Sequence, residues 1–249
     1  MRVALYRLLA VLLPLASLEL LCRNRIIPPL TLPAPSLIAS NLWDILAHGT
    51  FNSAMLKTLA NVGLAIALAV TVGTVAGAAL HRARILRVLL EPLFSTYYAI
   101  PIYAFYPVFI VVFGLGDAPQ VTIGFMLAVV SMMVSTLAGL DSVPPVLGKT
   151  ARVMQLGPVA TVRSVTLPSA APYLFTGVKL AVAYAFIGVI GAEFIMSNTG
   201  LGYEIRFAYD NLDNNVMYPL ILLILLLAVA VNMSLDHWER VLRARRERF

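Results

Sequence analysis

Charge is scarce in this sequence. Asp, Glu, Lys and Arg make up 12% of the 249 residues, against about 25% in ordinary soluble domains. No hydrophilic stretch is long enough to form a separate soluble domain. A single cysteine, Cys22, excludes an intrachain disulfide and a thiolate metal site. His48, His81 and His237 share no ligand spacing, so no metal site is expected. H-E-x-x-H, G-x-S-x-G and carboxylate pairs at helical spacing within an apolar run are missing, which leaves no catalytic residue to name. A P-loop is missing as well. Gly148-Lys149-Thr150 ends like one, but Val143 stands where the first glycine belongs and no strand precedes it. The chain is therefore not expected to bind or hydrolyse a nucleotide.

What the chain does have is long apolar runs. Hydrophobic residues reach 60% and the mean hydropathy is +0.88, which indicates an all-α, polytopic membrane protein. Six transmembrane helices are expected. The first is Leu8–Cys22, extended by Ile26 and Ile27 and holding Glu19. It is read as uncleaved because no small-x-small site follows and Leu20-Leu21 before Cys22 makes a poor lipoprotein signal. The second is Thr58–Leu80, whose Gly63, Gly73 and Gly77 suit close helix packing. Val88–Phe113 is the third and carries Glu91, Pro92, Pro101 and Pro107. Gln120–Leu140, Tyr173–Ile195 (with Lys179 and Glu193) and Val216–Leu235 complete the set. Between the first two, a proline-rich segment includes Ser36–His48, which reads as an interfacial helix with Trp43 at headgroup level. The chain thus divides into 1–57 (first span and outer segment), 58–236 (a core of spans) and 237–249 (a basic tail).

The net charge of +6 raises the question of nucleic acid; the placement of the charges argues against it. Threading six spans gathers Arg2, Arg7, Arg82, Arg84, Arg87, Lys149, Arg152, Arg163 and five tail arginines on one side. Arg23, Arg25, Lys57 and Arg206 fall on the other, diluted by Asp44, Asp117, Glu204, Asp210 and Asp213. The positive-inside rule puts both termini and residues 141–172 in the cytoplasm.

Residues 141–172 form the long polar interruption in the back half of the chain. Ser142 with Pro144 and Pro145 signals a helix start, and Gly157-Pro158 a stop. Leu147, Ala151 and Met154 share one helical face while Lys149 and Arg152 point away. A second short helix is expected through Val159–Val165, then a break at Leu167-Pro168. Spacing alone leaves two readings open: a solvated basic loop, or a docking piece with an apolar side for its own bundle and a basic side for a partner. Within the spans, Tyr97, Tyr98, Ser131, Met132, Ser135 and Glu193 are candidates for a translocation path, and each also reads as packing. Lys179 and Glu193 lie roughly 21 Å apart on one helix and cannot pair with each other. Lys179 is placed to snorkel.

The chain resembles the inner-membrane permeases of bacterial ABC importers, in the branch that handles nitrate, sulfonates such as taurine, related small anions and pyrimidine precursors. The permease signature runs Glu-Ala-Ala, three residues, Gly, then after a gap a hydrophobic residue, any residue, Leu and Pro. Anchored on Val165 and Leu167-Pro168, it sets Lys149 at the Glu, Thr150 and Ala151 at the alanines, and Gln155 at the Gly. It departs at the Glu, first Ala and Gly positions, and Gly157-Pro158 is expected to take over the glycine's turn. Pro101, Pro107, Phe113-Gly114-Leu115-Gly116, Gly139-Leu140, Ala192-Glu193 and Gly200-Leu201-Gly202-Tyr203 match the branch in order and spacing, so the resemblance spans Thr58–Asn215.

The resemblance implies a type I ABC importer permease fold in the bacterial inner membrane, working beside a second permease, identical or paralogous. It implies two ATPase subunits that hold ATP and Mg, a periplasmic or lipid-anchored solute-binding protein, and no cofactor in this chain. A coupling helix near 144–156 would seat on the ATPase. Its coupling residues would be Leu147, Lys149, Ala151, Arg152, Met154, Gln155, Gly157 and Pro158, with Leu167 and Pro168 beyond. The solute would be small and anionic, which makes a pore-facing Glu193 unfavourable and favours a structural or gating place for it. The alternative class is an ion-coupled secondary transporter; no internal repeat supports it.

Overall fold

The structure is a computed structural model that describes residues 2–246; Met1 and residues 247–249, with the tail's Arg248, lie outside the described residues. Arg2, Arg7, Arg243, Arg245 and Arg246 are placed by backbone only. The described residues are helical, with no strand among them. The order is α1 (Arg2–Arg23), α2 (Pro35–His48), α3 (Asn52–Arg82), α4 (Arg84–Tyr97), a 3-10 turn (Ile102–Phe105), α5 (Tyr106–Phe113), α6 (Asp117–Asp141) and α7 (Pro145–Val153). Then follow α8 (Pro158–Thr161), a π turn (Val162–Thr166), α9 (Leu167–Met196), α10 (Leu201–Asp210) and α11 (Asn214–Arg246).

Four helices among the described residues are long and apolar enough to cross a membrane: Asn52–Arg82, Asp117–Asp141, the continuous run Pro158–Met196, and Asn214–Arg240. They contain the second, fourth, fifth and sixth expected spans. The first corresponds to the 22 residues of α1, which stops at Arg23; Arg25 turns the chain at φ 56°, so Ile26 and Ile27 do not extend the helix. The third is not one helix. It breaks after Tyr97, because Pro101 supplies no N–H and disfavours helical backbone before it, and it resumes only as the 3-10 turn and the eight-residue α5.

The chain forms two compact units, Met1–Thr58 with Glu193–Val229, and Leu59–Ala192 with Ala230–Phe249. In the first, Pro35 opens α2 and Gly49, at φ 66°, closes it in the left-handed conformation. Glu19 of α1 accepts hydrogen bonds from Ser36 N–H (2.9 Å) and Ser36 Oγ (2.6 Å), so it caps the start of α2. Asn214 and Tyr218 of α11 donate to the carbonyls of Leu30 and Thr31 and hold the proline-rich segment. Leu42, Ala54, Leu201, Ile205, Leu220 and Leu223 form this unit's core.

The second unit packs α3, α6 and α9 through small residues. A Cβ added to Gly77 would meet the Met133 carbonyl at 2.7 Å, and one on Gly188 would meet Gly124 Cα at 2.6 Å. Backbones this close give dispersion contacts along the whole crossing, the force that holds helices together where lipid removes the hydrophobic drive. Ile102, Tyr106, Ile123 and Ala192 make a further core, which seats the broken stretch against α6 and α9.

Candidate functional site

Three places carry the residues that the sequence singles out. The first is the segment 141–172. Its helix α7 begins at Pro145, not at Ser142. Ser142 instead closes α6: its N–H donates to the Ala138 carbonyl (3.0 Å) and its Oγ to that of Gly139 (2.7 Å). Of the expected apolar face only Ala151 is buried, at 2% exposure. Leu147 and Met154 are exposed, as are Val146 and Val153, the last at 82%. Lys149 and Arg152 are exposed too. So α7 offers apolar and basic groups together rather than resting its apolar side on its own bundle.

The end of α7 also differs from expectation. Gln155 itself takes the left-handed conformation, φ 52°. The Leu156 N–H reaches back to the Ala151 carbonyl and the Gln155 N–H to that of Arg152, both at 3.0 Å. The turn that the signature gives to glycine is therefore made at the signature's own position, by glutamine. Gly157 has ordinary extended backbone (φ −65°, ψ 163°) and serves as the N-cap residue of α8. No break follows at Leu167-Pro168. The π turn at Val162–Thr166 widens the helix there, giving the Pro168 ring room and letting α8 run on into α9.

The second place is Glu193, fully buried near the C-terminal end of α9. It accepts from Thr58 Oγ1 (2.7 Å) and from the Gly202 N–H (3.1 Å), while Thr58 Oγ1 accepts from the Leu201 N–H (2.8 Å). One carboxylate and one hydroxyl thus cap the N-terminus of α10. Gly200, at φ 96°, leaves no room for a side chain: a Cβ would lie 2.4 Å from the carboxyl carbon. Arg206 donates to the carbonyls of Ile195 (2.8 Å) and Ser197 (2.7 Å) and closes the end of α9. Glu193 belongs to this clamp and lines none of the three cavities described below.

The third place is a row of cavities in the second unit. A chamber of about 340 Å³ is lined by Phe94, Tyr98, Val130, Ser131, Val134, Ser135, Leu180 and Tyr184. A second cavity shares Phe94 and Val134 with it and adds Arg87, Glu91 and Asp141. The third, about 620 Å³, shares Asp141 and reaches His81, Arg82 and Pro145, under α7. Beside this cavity Asp141 accepts from Arg87 (2.9 Å) and stands 3.1 Å from His81 Nδ1. The chamber brings Tyr98, Ser131 and Ser135 together. Tyr97 is turned away, donating to the Met126 carbonyl (2.8 Å), and Met132 is buried against Gly73 and Gly177. Tyr184 completes the chamber by stacking on Tyr98, centroids 5.0 Å apart and planes at 20°. The criterion that selects Tyr98, an aromatic ring with a polar tip inside a span, also fits Tyr184 and would have found it.

Residues 69–248 match the family described as the binding-protein-dependent transport system inner membrane component. The chain belongs to this family. The match takes in α7, the chamber and the basic tail. Among relatives, it is similar to the nitrate import permease protein NrtB of Synechococcus elongatus, 26% identical over 82% of this chain and 77% of the relative. It is likewise similar to the taurine transport system permease protein TauC of Escherichia coli, 27% identical over 87% of this chain and 80% of the relative. In fold it matches a chain of the inward-facing MetNI methionine ABC transporter, with a TM-score of 0.65, 20% identity, and coverage of 78% of this chain and 95% of that one. The protein is thus an ABC importer permease, all-helical and multi-pass in the membrane.

Proposed function

We propose that this permease subunit forms, with a second permease, the route for a small solute bearing an oxyanion group, and that a separate ATPase drives it through residues 141–172. The exposed apolar and basic surface of α7 carries this reading, because it lies outside the spans on the side where the cations gather. Closure of the ATPase subunits on ATP and Mg pulls α7. The continuous α8–α9 helix passes that pull to the wall of the chamber, as rigid elements do in domain-scale switching. A periplasmic or lipid-anchored binding protein delivers the solute at the opposite side. The relatives named for nitrate and taurine support the solute class.

Purification from native membranes tests the reading. The chain should come out with an ATPase, and uptake by vesicles should stop when ATP is withheld and persist when a protonophore collapses the ion gradient. Uptake that follows the gradient instead would place the chain among secondary transporters.

A further inference from the structure

We infer that the chamber between α4, α6 and α9 selects solutes with no net charge, small zwitterions, and that Tyr98, Tyr184, Ser131 and Ser135 are its specificity-determining residues. The inference rests on the importer reading and narrows it. No Asp, Glu, Lys, Arg or His lines the chamber. Lys179, next to the lining Leu180, is engaged by Glu239 at 2.5 Å and by Asp236. Charged side chains first appear in the neighbouring cavity, at Arg87, Glu91 and Asp141. A bare anion in the chamber would exchange part of its hydration for neutral groups, with no cation in this lining to replace it, which is unfavourable.

The lining suits both halves of a zwitterion. Ser131 Oγ gives its proton to the Ala128 carbonyl (2.7 Å) and shares a hydrogen bond with the Tyr98 phenol, so one lone pair of its oxygen is left to serve the chamber as an acceptor. The Tyr98 and Tyr184 rings cover one face of each other, and the outer face of Tyr184 adds an electron-rich surface. Both features favour an ammonium group. Ser135 and the Tyr184 phenol carry O–H donors for an oxyanion, the Tyr98 phenol being engaged by Ser131. Held at both ends, such a solute enters a lining without charges at zero net charge.

Titration calorimetry on the full chain, in the complex it purifies with and in lipid nanodiscs, tests this with two matched pairs: taurine against ethanesulfonate, and β-alanine against propionate. The members of each pair share the oxyanion and differ in the ammonium. The ammonium-bearing member should bind about tenfold tighter or more in at least one pair. Tyr184→Leu should cut that ratio to about threefold or less, and Tyr184→Phe should keep it. If Tyr184→Leu does not fold, Ser131→Ala reads the same ratio, since it removes the ammonium's acceptor. The inference is overturned by equal binding within both pairs, by preference for the anions, by no binding of any of the four, or by a ratio that the variants leave unchanged. An ATPase-driven complex that prefers ethanesulfonate ends this inference and leaves the importer reading standing; taurine selectivity in a chain with no ATPase partner does the reverse.

Discussion

Glu193 shows how one residue type leaves several roles open. An acid inside a span reads as a pathway group, yet here the carboxylate is spent on a backbone amide and a threonine hydroxyl. Its removal leaves buried donors unmet, at about 1–3 kcal/mol for each. Glu193→Ala should therefore lower the melting temperature of the detergent-solubilised chain by several degrees. Gly200→Ala should do as much, because the added Cβ meets the carboxyl group and the backbone there is left-handed. Thr58→Ser keeps the hydroxyl and should change little. An unchanged melting curve for Glu193→Ala would remove the clamp from this account. Nothing in the sequence points to Thr58, since its partners lie 135 and 143 residues away. Arg206 was legible only as a cation on the sparsely charged side; its role as the closing group of α9 depends on a fold-back that residue types do not encode.

At the scale of elements, proline and glycine gave most of the boundaries, and they failed where the backbone had a second solution. Pro145 and Pro158 start helices, the first of them three residues after the start expected at Ser142 and the second at a proline that the pattern read as part of a stop. Pro168 does not break one, because a π turn absorbs it, and that rearrangement involves five residues at once. At the end of α7 the glycine rule points to Gly157, while the chain turns at Gln155. A side chain in the left-handed region costs roughly 1–2 kcal/mol. Gln155→Gly should then stabilise the fold by about 1 kcal/mol, seen as a higher melting temperature, with ATP-driven uptake retained. A lower melting temperature would mean that the Gln155 side chain holds the turn. The exposed faces of α7 make separate predictions. Exposed charges are worth little singly, whereas apolar groups desolvated at a docked surface carry more. Val153→Asp with Met154→Asp should uncouple ATP hydrolysis from uptake more severely than Lys149→Glu with Arg152→Glu, measured as solute moved per ATP. The reverse order would assign docking to the charges.

For the molecule as a whole, the sequence pattern that mattered was the distribution of the cations. Composition states only that the chain belongs in lipid; under the positive-inside rule the grouping of Arg82, Arg84, Arg87, Lys149, Arg152 and Arg163 predicts which way it faces. The coupling role proposed for α7 depends on that orientation. It can be tested without any partner or solute. The native Cys22 is buried, so labelling by a membrane-impermeant maleimide starts from a quiet background. Val153 and Leu212 are both largely exposed, at 82% and 76%, and stand on opposite sides in the threading. Leu212→Cys should label in cells whose outer membrane alone has been opened. Val153→Cys should label only after the inner membrane is permeabilised. Labelling of Val153→Cys from outside would invert the chain and place α7 out of reach of any cytoplasmic ATPase. Equal labelling of both would break the threading of an odd number of spans between α7 and the α10–α11 turn, on which the sidedness of every site described above depends.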